Sequence, residues 1–214
     1  MELTIIQKIA VFALPAVLAI TVHEAAHGYA AKCFGDLTSE KMGRITLNPI
    51  KHIDLIGTVL LPIFLLWSTN GKFVFGWAKP VPVNFSNLRS PKKDMLWVAA
   101  AGPASNFAMA ILWALILNLS ASMPQAMGVF LSYMSEFGIT INLILMVLNL
   151  LPLPPLDGGR IAVSLLPTDL AIRLSQVERY GIFILMALMF SGYLGRIMWP
   201  IIGFFQQLIL SIFA

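Results

Sequence analysis

The chain carries one short motif that could do chemistry, His23-Glu24-Ala25-Ala26-His27. On a helix, side chains four residues apart lie on one face, so both imidazoles can reach one metal ion. Glu24 lies beside them, where it could take a proton from water at the metal. The pattern is short and occurs by chance in soluble proteins, but here it follows the apolar run 11–20. Ionisable residues inside such a segment indicate function by default, the alternative being a polar patch at a helix end.

Composition places the chain among membrane proteins. Of its 214 residues, 58% are hydrophobic and 11% are charged, whereas a soluble domain carries about a quarter charged residues. The net charge of +4 is modest and basic residues are not interleaved with stacking aromatics, so no nucleic-acid partner is expected. The single cysteine excludes an internal disulfide and a CxxC metal site. We expect one membrane-embedded domain over 1–214, with a core at about 5–160 and a first helix that is not a cleaved signal peptide.

Apolar segments of spanning length predict an all-α polytopic fold with about five transmembrane helices, since a hydrocarbon core is ~30 Å thick. They are Leu3–Ala31, Met95–Leu119, Met127–Leu151, Tyr180–Tyr193 and Ile197–Ala214, of which the fourth is marginal in length and the last two form a C-terminal pair over 180–214. The run Leu55–Trp67 is shorter and is interrupted by glycine and proline. Within Gly71–Phe85, the pieces Lys72–Phe75 and Val81–Val83 predict a short β-hairpin-like loop.

Lysine and arginine are concentrated in the polar connections 32–54, 68–94 and 152–179. If Leu55–Trp67 crossed the bilayer, the first two clusters would face opposite sides, against the tendency of basic loops to remain in the cytoplasm. We therefore expect this run to be re-entrant or interfacial. The N-terminus is then outside, and the motif at 23–27 lies nearer the cytoplasmic face.

A catalytic zinc site usually has three protein ligands and one water, so the two histidines need a third partner. The segment 149–160 (Asn-Leu-Leu-Pro-Leu-Pro-Pro-Leu-Asp-Gly-Gly-Arg) carries one carboxylate, Asp157, where prolines end a helix and glycines permit tight backbone. Non-helical backbone at membrane depth is tolerated only where it lines a protein cavity. Asp157 is therefore the candidate third ligand, and the alternative is an ordinary loop with an exposed aspartate. For these groups to meet, the helix carrying 23–27 and the helix before 149–160 must be parallel.

Together these motifs resemble the site-2 protease family of intramembrane zinc metalloproteases, peptidase family M50. The segment Ala101-Gly102-Pro103-Ala104-Ser105-Asn106 is similar to the family's Gly-Pro-x-x-Asn signature. The segments 43–49 and 76–84 are similar to the compact prokaryotic branch without PDZ or CBS domains. The resemblance covers about residues 20–160, and Asp54-Leu55 departs from the Asp-Pro expected in close relatives.

The resemblance implies a zinc metalloendopeptidase that hydrolyses peptide bonds in or near transmembrane segments of membrane proteins. It implies that His23, His27 and Asp157 bind one Zn²⁺ per chain. It also implies that Glu24 is the general base and that Asn149 helps to hold the substrate or the oxyanion. The expected partners are a membrane-protein substrate and the lipid bilayer of a bacterial or archaeal cell. Substrate identity and oligomeric state stay open.

Two other classes of function remain open on the residues alone. A divalent-metal transporter also uses intramembrane histidines, an aspartate and broken helices. A catalytically silent membrane scaffold would use the metal only as a staple. The residue that separates these classes is Glu24, because a transporter has no reason to place a carboxylate that is not a ligand between two ligands.

Several further polar residues have more than one interpretation. Asn106 faces the bundle, either as a structural residue or as a hydrogen-bonding partner of the substrate. His52 belongs to no ligand spacing and is interpreted as an interfacial loop histidine rather than a fourth ligand. Cys33 is interpreted as a thiol on an apolar surface and Gly102 as a helix-packing residue. Glu136 lies in an apolar span, near a bend or cavity.

Overall fold

The computed structural model of the protein describes residues 4–70 and 76–213, and within them every regular element is a helix. The nine α-helices are α1 (Ile5–Cys33), α2 (Thr38–Lys41), α3 (Leu61–Ser68), α4 (Pro91–Ser120), α5 (Gln125–Asn149), α6 (Asp157–Leu165), α7 (Thr168–Gln176), α8 (Glu178–Phe190) and α9 (Tyr193–Ser211). Short 3₁₀ turns lie at Pro49–His52 and Phe85–Asn87, and a π-helical turn at Leu55–Leu60 leads directly into α3.

Local sequence accounts for several helix ends. Thr4 caps α1 in a reciprocal pair with Gln7, which satisfies backbone donors at the first turn. Pro91 occupies the first turn of α4, where its missing N–H costs nothing. Gly192 has a φ of 76° between α8 and α9, a left-handed conformation that favours glycine. The prolines after α5 prevent that helix from continuing into α6.

Three helices in the described part of the chain are long and apolar enough to cross a membrane: Ile9–Cys33 of α1, together with α4 and α5. The pair α8 and α9 passes the same criterion only when combined, and it is bent by 82° at the break. The structure therefore supports an all-helical membrane protein with three or four candidate spans. The predicted count of five is not confirmed.

The three long helices form the core, and side-chain contacts give their directions. His23 and His27 of α1 contact Asn106 and Val98 of α4 respectively, so α1 and α4 are antiparallel. Asn106 contacts Asn142 of α5. Further along α4, the ring of Trp113 packs against Gly138, so α4 and α5 are antiparallel too. It follows that α1 and α5 are parallel, as the shared site requires.

The buried apolar residues between these helices and α9 include Val11, Ala110, Leu143, Met146 and Ile202.

The segment from Leu55 to Ser68 makes few contacts with the bundle and leaves large apolar side chains exposed. The chain on its two sides comes back together, because Arg44 donates to the carbonyl of Lys79 at 2.9 Å and Ser39 donates to that of Pro82. Of the predicted hairpin, Lys72–Phe75 lies outside the described residues. Val81–Val83 forms no strand in the described part of the chain, so the hairpin is not confirmed.

Candidate metal centre

Three side chains converge in the interior where α1 and α4 meet the start of α6. His23 and His27 lie one turn apart on α1, and Asp157 is the first residue of α6. The Oδ2 atom of Asp157 is 3.2 Å from Nε2 of His23 and 3.3 Å from Nε2 of His27, and the two Nε2 atoms are 3.0 Å apart. The three side chains are only 10%, 12% and 13% exposed. The structure thus brings together the three residues that the sequence predicted as metal ligands.

The spacing of these atoms fits one zinc ion. Ligand atoms at about 2.0–2.1 Å from a tetrahedral Zn²⁺ lie about 3.3 Å from one another, which is the edge of the tetrahedron. The three measured separations, 3.0, 3.2 and 3.3 Å, are close to that edge. Three protein atoms on one face of a tetrahedron leave the fourth position for water or substrate.

The protons on the two rings also favour a cation. Nδ1 of His27 is 2.7 Å from the carbonyl oxygen of Val98, which can only accept, so this nitrogen carries the hydrogen. Nδ1 of His23 is 2.6 Å from Oδ1 of Asn106, again an acceptor. A neutral imidazole has one N–H, so both Nε2 atoms present lone pairs towards each other and towards a carboxylate. Such an arrangement is repulsive unless positive charge lies between the three groups.

Asp157 gives a second indication of a missing partner. Among the described residues, its buried Oδ2 atom has no hydrogen-bond donor. A buried carboxylate oxygen without a donor is costly and calls for an ion or another unrepresented partner. The residues present therefore fit a zinc ion held by two imidazoles and one carboxylate.

Glycines make room for this convergence. A Cβ atom on Gly102 would lie 2.4 Å from Nε2 of His27 and 2.6 Å from Nε2 of His23. Gly102 thus does more than permit helix packing, because any side chain there would enter the space between the rings. A Cβ on Gly158 or Gly159 would collide with the backbone of 150–154, so these two glycines let α6 begin close to the end of α5 and place Asp157 inside.

Glu24 is held by a segment that the sequence did not connect with it. Its Oε2 accepts a hydrogen bond of 2.7 Å from the backbone N–H of Val81. Residues 76–84, called here the strap, are fixed by further bonds. These are the contacts of Arg44 and Ser39 with strap carbonyls, and the N–H of Lys79 donating to the carbonyl of His52. The strap therefore contacts the glutamate that would act as a base and binds one of its carboxylate oxygens.

Asn149 is not joined to the cluster by its side chain. In the described residues its amide donates to the carbonyl of Leu145 in its own helix. His52 is buried, and its Nε2 donates to the carbonyl of Thr46, away from the three ligand candidates. Cys33 is exposed and Glu136 lies on the outer face of α5. The predicted role of Asn149 stays a prediction.

Sequence reasoning left the role of Asn106 open and missed Asn142 altogether. Both are fully buried, and the Asn106 amide donates to Oδ1 of Asn142 and to the carbonyl of Ala19. One signal could have found Asn142: it is a strongly polar side chain in the middle of an apolar span, which is expensive unless it has partners.

Comparison with known proteins agrees with this geometry. A family model described as "Peptidase family M50" matches residues 119–192, which include Asp157. The chain is 36% identical over 202 residues to the Bacillus subtilis (strain 168) protein named "Putative zinc metalloprotease YwhC", covering 92% of this chain and 88% of the relative. It is 29% identical over 189 residues to "Putative zinc metalloprotease Rip2" of Mycolicibacterium smegmatis (strain ATCC 700084 / mc(2)155), covering 88% and 70%. No solved structure matches the chain significantly.

The family model matches only the second half of the chain, but the alignment with the Bacillus subtilis relative also includes the histidine motif. Identity of this level over nearly the whole of both sequences is sufficient to assign the family. The chain belongs to peptidase family M50, the site-2 protease family that its motifs resemble.

Proposed function

We propose that this protein is an intramembrane zinc metalloprotease that cleaves membrane-protein substrates in or next to a transmembrane segment. The observation that carries the proposal is the convergence of two imidazole lone pairs and an orphaned carboxylate oxygen beside Glu24. Family membership and the two relatives named as zinc metalloproteases support the same activity.

In this proposal His23, His27 and Asp157 hold one zinc ion per chain. Bound zinc supplies Lewis acidity, which polarises a carbonyl oxygen and makes water a stronger acid. Glu24 accepts the proton of the attacking water and passes it to the leaving amine. The Val81 N–H binds one carboxylate oxygen of Glu24, which orients the other for that transfer. Gly102 keeps the space between the rings open.

The substrate has to present an accessible peptide carbonyl, which a helix hides by hydrogen bonding. We propose that it binds in extended form near the broken segment that follows α5, where Asn149 would turn from the Leu145 carbonyl towards it. Residues 79–82 offer no free backbone N–H group with which an extended substrate could pair. Lys79 and Val81 already use their N–H groups, and Pro80 and Pro82 have none.

We also propose a topology with the N-terminus outside and the metal nearer the cytoplasm. The segment 55–68 then enters and leaves on the cytoplasmic side, which the contacts of Arg44 and Ser39 with the strap support. Basic residues of the connections 32–54 and 68–94 would share that side, in line with the positive-inside tendency.

A divalent-metal transporter remains the second candidate from the residues alone. The structure adds an observation against it: Glu24 does not join the three ligand atoms but is oriented separately by Val81. A carboxylate positioned beside the ion, and not on it, is expected of a base.

Purified protein, with a co-expressed substrate that contains one transmembrane helix, tests the proposal. Glu24→Gln should lower cleavage by roughly 10²–10⁴-fold, the usual contribution of a general base, while one zinc per chain is retained. Glu40→Gln is the matched control, because that glutamate is on the exterior and pairs with Lys32. Cleavage by the Glu24 variant at the parent rate would refute the proposal that the cleavage takes place at this centre with Glu24 as its base.

A further inference from the structure

Asn142 lies at the far end of a buried chain of hydrogen bonds that leads to His23. Its amide nitrogen donates to the carbonyl of Gly138 at 2.8 Å, and its oxygen accepts from the amide nitrogen of Asn106 at 3.0 Å. The oxygen of Asn106 then faces Nδ1 of His23 at 2.6 Å. Both asparagines are fully buried, so water does not compete for these groups.

Every link in this chain has a fixed direction. The Gly138 carbonyl can only accept, so Asn142 must turn its NH₂ group towards it and its oxygen towards Asn106. That oxygen can only accept, so Asn106 must present its own NH₂ group, which also reaches the carbonyl of Ala19. The remaining oxygen of Asn106 requires a hydrogen on Nδ1 of His23. The lone pair of His23 is thereby placed on Nε2, the atom beside Asp157.

We infer that Asn142 is a positioning residue for the metal centre: through Asn106 it fixes the Nδ1–H tautomer and the ring orientation of His23. This role rests on the proposed function, in which His23 is a zinc ligand. Partners that orient a metal-binding histidine typically affect metal affinity by about 10–100-fold. Because Asn142 acts one link further away, and the Ala19 carbonyl retains part of the orientation, we expect a loss of about tenfold.

Histidine tautomers, recorded on the metal-free protein at a pH high enough to keep all three imidazoles neutral, provide a readout that does not depend on catalysis. The chain has three histidines, so ¹⁵N-histidine spectra are simple to assign. Asn142→Leu, which matches the size of asparagine without its polar atoms, should change His23 from a single Nδ1–H form to a mixture. His27 and His52 should not change, since their partners are the carbonyls of Val98 and Thr46. A chelator competition on the same sample should show zinc binding about tenfold weaker.

Two further variants separate positioning from general packing. Asn142→Asp keeps the shape and, as a neutral acid in this buried place, keeps both links, so it should match the parent protein. Ser135→Ala removes another fully buried polar group from α5, one that is not part of the hydrogen-bonded chain to His23. It should leave the tautomer of His23 and the zinc affinity unchanged. If Asn142→Leu does not fold, Asn142→Ser replaces it. A helix serine bonds the carbonyl four residues back and is too short to reach Asn106, so the same His23 mixture is expected.

The inference is overturned if Asn142→Leu or Asn142→Ser leaves both the His23 tautomer and the zinc affinity at parent values. It is also overturned if Ser135→Ala lowers zinc affinity as much as they do. These outcomes are independent of the proposed protease activity. An inactive parent protein would refute that activity, and a fully active Glu24→Gln variant would refute the role of Glu24 in it; both would leave the tautomer result as it stands.

Discussion

At the residue scale, Asp157 is the group whose position is hardest to explain without a metal. Replacing it with alanine removes one of the three proposed zinc ligands and leaves two imidazoles, which alone bind zinc weakly. We expect Asp157→Ala to weaken zinc binding by at least about 100-fold, since even indirect partners of a ligand contribute up to that much. Metal analysis after dialysis against a weak chelator measures the effect. Asp169→Ala is the matched control, an exposed aspartate in the first turn of α7.

Unchanged metal content in Asp157→Ala would remove this residue from the ligand set. A loss of metal in Asp169→Ala as well would indicate that the variants disturb folding and not the site.

At the element scale, the strap connects the base to the rest of the fold. Val81→Pro removes the N–H that binds Glu24, and hydrogen bonds to a charged group contribute about 1.5–3 kcal/mol. We expect kcat to fall roughly tenfold or more, which is the fold-change that corresponds to this free energy. Zinc should be retained, because only the orientation of the carboxylate is lost. Val83→Pro is the control, since both valines follow a proline and only Val81 contacts Glu24. A rise in kcat would mean that the strap restrains Glu24 and does not position it.

The same strap is anchored to the end of α1 by Asp36, which is fully buried. Burial raises the pKa of this carboxyl, but hydrogen bonds from Thr38, from the N–H of Asn84 and from Asn87 outweigh it and hold the pKa below its ordinary value. A lowered pKa in the folded state means that the stabilisation is present above the unfolded value. It is lost as the pH falls below about 4.

We expect Asp36→Asn to lower the free energy of unfolding by roughly 1.5–3 kcal/mol at neutral pH, since the bonds to the charged group are weakened. The loss should shrink as the pH approaches the folded pKa, where the parent carboxylate is itself neutralised. Thermal unfolding of both proteins across that pH range checks this. A difference that does not depend on pH would contradict the role of the charge.

At the scale of the whole molecule, the side of the bilayer on which the connecting segments lie tests the topology. In a Cys33→Ser background, cysteines at 41 and 79 should both react from the cytoplasmic side, because residues 39–44 contact residues 79–82. Opposite accessibility would mean that the segment 55–68 crosses the membrane. A cysteine that replaces exposed Glu136, on the outer face of α5, serves as the reference for a position within a span.

The span count depends on α8 and α9. With five spans the C-terminus is cytoplasmic, and with four it is outside, where the N-terminus is also expected. Helix α8 has 13 residues, which at 1.5 Å per residue is about 20 Å and shorter than the ~30 Å hydrocarbon core. We therefore expect the bent pair to cross once and the C-terminus to be outside. A C-terminal reporter active only in the cytoplasm would show instead that both helices cross.

The sequence by itself was sufficient to identify the family and to propose the ligand set. His23 and His27 are four residues apart on a helix, a relation set by local geometry, and Asp157 is marked by prolines and glycines next to it in the chain. Only the tertiary structure decided what orients these groups, because those contacts join distant residues: His23 with Asn106 across 83 positions, Asn106 with Asn142 across 36 and Glu24 with Val81 across 57. Periodicity along one helix says which residues share a face. It does not say which atom of a neighbouring helix or loop meets them there, so the tautomer of His23, the strap on Glu24 and the bend between α8 and α9 required the packed fold.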